Sequence, residues 1–164
     1  MPELSFNTAL FVALGVGFAI AFFAGEGRVK KLAAGSLVGY LIALQLGEFA
    51  VTQLTKLSFL PELSLATVQL AIFALVTLLF NLGKTHHIDG RPRVNVESIA
   101  VAIITAAFIF TTVLGFLDDS TRNQLTTDYN LAAMLYEWRL LLLGLTAGGL
   151  LLVEVLGANT RKPR

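Results

Sequence analysis

The sequence predicts an all-α integral membrane bundle of about five transmembrane helices, with the N-terminus outside and the C-terminus in the cytoplasm. Three observations predict it. Of 164 residues, 55% are hydrophobic and only 14% are charged, whereas a soluble domain carries about 25% charged residues. The charges are segregated, so that long apolar runs alternate with short polar ones, which is the pattern of helices crossing hydrocarbon. Lysine and arginine also favour alternate connections, as the positive-inside rule requires.

The apolar runs are Leu4–Ala24, Leu32–Gln53, Leu65–Leu82, Val96–Leu117 and, approximately, Leu135–Leu156. Each is near the roughly 20 residues that a helix needs to cross about 30 Å of hydrocarbon. Backbone groups in lipid must find partners within their own segment, so each run is read as α-helical. Residues 1–164 form a single transmembrane domain, with no gap long enough for a soluble one. The first run is read as a retained helix, not a cleaved signal peptide. Its flank "MPEL" has no positive charge, and the basic residues follow the run, the reverse of a signal peptide's order.

The connections read as turns. "GEGRVKK" follows the first run, and "LTKLSFLPEL" contains Pro61. "GKTHHIDGRPRVN" has two glycines and Pro92, and "DDSTRNQLTTDYN" is polar, with Asp128 or Asn130 as candidate caps. Arg28, Lys30 and Lys31, then Lys84, Arg91 and Arg93, then Arg161, Lys162 and Arg164 fall on one side of a five-helix topology. Lys56 and Arg122 fall on the other, a split of nine to two. The richer side is assigned to the cytoplasm of a plasma membrane, where its basic residues meet anionic head groups.

Small residues supply the packing surfaces that a lipid environment favours. Gly35, Gly39, Ala43 and Gly47 stand four apart in the second run, and Ala13, Gly17, Ala21 and Gly25 do so in the first. The expectation is a tight hairpin of those two runs, with self-association as the competing use. Gly144 and Gly148 offer a similar surface in the fifth run.

Glu48 sits inside an apolar run, about 24 Å above Leu32 at 1.5 Å per residue. Its candidate partner is Arg139, at the same depth in the descending fifth run, with Gln45, Gln69 and Glu137 near that level. One reading is a buried Glu48–Arg139 bridge with amide support. The other is that Arg139 and Glu137 mark the outer interface beside Tyr136 and Trp138, an aromatic belt. Glu154 lies close enough to the cytoplasmic end to be met by a snorkelling Arg161 or Lys30. Thr105, Thr111 and Thr112 are expected to hydrogen-bond their own helix or a neighbour.

Little else in the chain carries chemistry. There is no cysteine, hence no disulfide framework or thiolate metal site. His86, His87 and Asp89 form the only site-like loop motif, and adjacent histidines are poor co-ligands, so no metal or other cofactor is expected. No P-loop, HExxH or nucleophile elbow is present. The net charge of +1 gives no reason to expect a nucleic-acid partner. The sequence therefore points to a non-enzymatic scaffold or subunit of a membrane assembly, meeting other membrane proteins or a second copy. The alternative is a small transporter or channel subunit working through Glu48 and Arg139. A short first hairpin, a third helix and a basic "DG" loop give the chain a hydropathy pattern that resembles the colicin V production protein family. The resemblance carries over no motif residue, and the fifth run departs from that family's four-helix pattern.

Overall fold

The computed structural model describes residues 26–56, 64–82 and 96–159. All six regular elements among them are α-helices: α1 (Glu26–Lys56), α2 (Leu65–Leu82), α3 (Val96–Phe116), α4 (Asp119–Asp128), α5 (Asn130–Glu137) and α6 (Arg139–Asn159). The first run, with its ladder including Gly17 and Ala21, lies outside the described residues, as do Pro61, the loop with His86, His87 and Asp89, and the basic tail.

Three of these helices, α1, α2 and α3, are long and apolar enough to cross a membrane. The bent pair α5–α6 makes a fourth if it counts as one span. These helices suit a membrane-embedded protein, because their polar backbone is satisfied within each helix and their surfaces are apolar.

α1 begins earlier than expected. "GEGRVKK" reads as a turn, yet from Glu26 onward it is helical. Arg, Lys and Glu are good helix formers, and Val29 is buried in a cluster with Ala33, Val101 and Ala102. That packing carries the helix down through its basic end. At 31 residues, α1 is about 46 Å long, so it tilts or projects beyond the hydrocarbon.

The second departure is α4, in a segment expected to be a turn. Asp118 caps it, with its Oδ2 accepting from the backbone N–H of Thr121 at 3.1 Å and the hydroxyl of Thr121 at 3.0 Å. The hydroxyl of Ser120 donates to the same oxygen. These three donors lower the Asp118 pKa from 3.8 to about 2, with Ser120 the largest cause. Neither Asp128 nor Asn130 caps the next helix; Tyr129 holds the N-cap position of α5, and its side chain does not cap the helix.

The fifth run is not one helix. It breaks at Trp138, where α5 and α6 meet at 59°. No proline or glycine stands there, so the cause is tertiary. α5 is held at the end of α3 by Ala132, fully buried against Leu114 and flanked by Leu125 and Tyr129. α6 must instead run along α3, where Leu150 joins the Val29–Val101 cluster. A straight helix cannot satisfy both.

The spans alternate in direction. Gly35 of α1 meets Phe80 of α2 and Gly47 meets Gln69, so these two are antiparallel. α1 and α3 are parallel, with Val29 beside Val101 at one end and Ala43 beside Phe116 at the other. α6 returns along α3. The helix ends joined to the basic loops and tail thus gather at one end of the bundle. α3 is the central helix: 56% of its span is buried, against 11% for α2.

Candidate functional site

The small-residue ladder of α1 is used within the chain, but its described partner is α2, the third run, and not the first run that the sequence suggested. Ala43 is fully buried against Phe73 and Phe116. A Cβ added at Gly39 would stand 3.0 Å from the carbonyl oxygen of Phe73 and 3.0 Å from the hydroxyl of Thr77. One at Gly35 would meet Phe80 Cβ at 2.8 Å. The Thr77 hydroxyl also donates to the Gly35 carbonyl at 3.4 Å, a long bond across the helix pair. Backbones approach this closely only where side chains are missing. The glycines of α6 differ. At Gly144 and Gly148 an added Cβ meets no described atom within 4 Å, whereas at Gly149 it would stand 3.1 Å from Val101.

The ladder turns the opposite face of α1 outward. Leu41, Gln45, Glu48 and Thr52 lie on it, and all four are exposed. Glu48 and Arg139 form no ion pair. The ion pair found among the described residues is Arg122 with Asp119. Glu137 is exposed and also unpaired with Arg139. Arg139 lies over the ring of Tyr136, 4.5 Å from its centroid, and Arg122 lies 5.3 Å from the same ring. Beside the half-exposed Trp138, this is a cation–aromatic cluster at the bend between α5 and α6.

Arg139 also lines a pocket of about 340 Å³ among α1, α2, α3 and the start of α6. Gln69 lies on its wall, so two of the expected polar residues do meet at one cavity. Glu48, Gln45 and Glu137 are not on its walls. The fit of Gln69 follows from the ladder: its side chain lies over Gly47, where an added Cβ would stand 2.6 Å from Gln69 Cγ.

Aromatic packing shapes the pocket. Tyr40 meets Phe108 edge-on at 5.6 Å and stacks on Phe116 at 5.9 Å, and Phe73 meets Phe116 at 6.2 Å. Thr111 and Thr112 complete the polar part. Thr105 and Thr111 donate to the carbonyls of Val101 and Phe108, at 2.7 and 2.9 Å, as expected of hydroxyls in apolar helices. Thr112 does not: its hydroxyl is buried without a partner, as is that of Ser98. Tyr40 was not singled out in the sequence. The signal was its place one residue after Gly39, which turns it from the α2 contact toward α3. The Glu154 side chain lies outside the described residues.

No family model, no curated protein and no solved structure matches the chain.

Proposed function

We propose that this chain is a non-enzymatic subunit or scaffold of a membrane assembly, with five spans, the N-terminus outside and the plasma membrane as its location. The observation that carries the reading is the outward face of α1. Gln45 and Glu48 lie exposed on a span, opposite the packed ladder. A polar group at membrane depth that the described helices leave uncovered is costly and calls for a partner. A neighbouring helix offering a cation or amide to Glu48 satisfies it and fixes the register of docking. The exposed apolar surface of α2, including Leu75, Leu78 and Leu79, is available to lipid or to the same partner. The transporter alternative routes a substrate past Glu48 and Arg139 together, and it is less well supported, since the two share no pocket wall.

A photo-crosslinking residue at Gln45, in native membranes, is expected to give a discrete protein adduct that Glu48→Leu weakens. Adducts with lipid alone would overturn the assembly reading. Glu48→Gln protein that assembles normally yet is inert in cells would favour transport. Orientation has its own test. Cysteines at Ser58 and Asn123 should react with an impermeant thiol reagent outside sealed cells, and one at Thr85 should not. Labelling of Thr85 would refute the orientation.

A further inference from the structure

The pocket beside Arg139 has a chemistry that the assembly role does not use. We infer that it is a binding site for an anionic phospholipid, with the phosphate on Arg139 and the start of an acyl chain against the aromatic wall. The inference rests on membrane embedding and not on the assembly proposed above.

Charge is the first reason. Among the described residues Arg139 has no carboxylate partner: Glu48 and Glu137 do not reach it, and the nearby Arg122 is engaged with Asp119. Its guanidinium carbon lies over the Tyr136 ring, 4.5 Å from the centroid. A cation–aromatic contact supplies no anion to the group, so its N–H donors suit a bidentate phosphate. The residue also opens α6, a helix of 21 residues, so the helix dipole adds to the field felt by an anion there.

Shape is the second. About 340 Å³ is near the lower end of small-molecule pockets and holds a head group with the first part of a chain. Gln69 and Tyr40 offer neutral hydrogen bonds, while Phe108, Phe116 and Leu44 offer an apolar surface. A wholly hydrophilic anion would leave that apolar wall unmet, and a zwitterionic head group would bring its own ammonium cation beside Arg139, so a net negative head group is preferred.

Gly115 makes the site testable without breaking the fold. It lines the pocket, and an added Cβ meets no described atom within 4 Å. A leucine there grows into open space, and loss of a helical glycine favours the helix.

The test uses the full chain in a neutral maltoside detergent, with phosphatidylglycerol and phosphatidylcholine of identical chains as probes. Retention is read by native mass spectrometry and stabilisation by thermal shift. Phosphatidylglycerol should be retained roughly tenfold better, the size of one charge-assisted contact. Arg139→Gln should bring the two lipids level, Arg122→Gln should leave the preference in place, and Gly115→Leu should abolish retention of both while the protein melts cooperatively. Equal retention by the unmodified chain, or a preference that survives Arg139→Gln, would overturn the proposal. So would a folded Gly115→Leu protein that binds phosphatidylglycerol normally.

Discussion

Gly35, Gly39 and Gly47 of α1 stand four and eight residues apart and Gly144 and Gly148 of α6 four apart, each set on one helix face in an apolar setting, yet the fold treats them oppositely. In α1, side chains and backbone of α2 fill the space where each Cβ would be. In α6, a Cβ added at Gly144 or Gly148 meets no described atom within 4 Å, and the close approach to α3 has moved to Gly149. Spacing determines which residues share a helix face. It does not determine whether a second helix comes to that face. The bend at Trp138 contributes to the difference, because it sets the rotation at which α6 meets α3.

Filling both sets of positions separates the two helices. Gly39→Leu drives a side chain into the Phe73 carbonyl and Thr77, and should cost about 3 kcal/mol, as overpacking of a tight contact does. Gly144→Leu should leave melting within about 0.5 kcal/mol, as surface changes do. Equal losses would erase the distinction. Gly47→Ala should fall between them, because the group in its way is the flexible Gln69 side chain and not backbone. Thermal unfolding in detergent reads all three.

A smaller effect is expected at Thr112. Its hydroxyl is buried without a partner, so Thr112→Val removes a desolvated group at constant shape and should stabilise by about 1 kcal/mol. Destabilisation would mean that the hydroxyl has a partner in the membrane, a bound lipid or water among them.

Next is the pair that the sequence placed together. Glu48 faces outward and Arg139 faces the pocket, so Glu48→Leu and Arg139→Leu should be additive within about 0.5 kcal/mol. Recovery in the double variant would restore the bridge.

The smallest effect concerns α4. The folded state lowers the Asp118 pKa from 3.8 to about 2, so it favours the charged form. The cap's contribution is full above the unfolded value and is lost as pH falls from about 4 toward 2. Protection of the α4 amides, measured relative to their intrinsic exchange rates, should fall over that window. In Asp118→Asn this loss should vanish, while protection in α2 stays constant in both proteins.

What could be read from the sequence follows the same division. The spans α1 to α3 were legible because lipid demands a length and an apolar composition that few other structures share. The ladder was legible as a face, but its partner was not, since Gly39 says nothing about which helix supplies Phe73. Gln69 and Arg139 were legible as polar residues at one depth. Their separation from Glu48 was not, because depth leaves rotation about the helix axis open. α4 was missed although Asp118, Ser120 and Thr121 form a capping sequence, since polarity alone suggested a turn. The break at Trp138 had no proline or glycine to announce it.

α1 has an inner face seated on α2 and an outer face carrying Gln45 and Glu48. The chain has no cysteine, so paired cysteines report on this cleanly. In native membranes under mild oxidant, the Gly39→Cys, Thr77→Cys double variant should form an intramolecular disulfide, because a Cβ at Gly39 stands 3.0 Å from the Thr77 hydroxyl and the two Cβ atoms come within bridging range. The Gln45→Cys, Thr77→Cys variant should not. Failure of the first pair to bridge, or equal bridging by both, would mean that α1 does not seat its glycine face on α2.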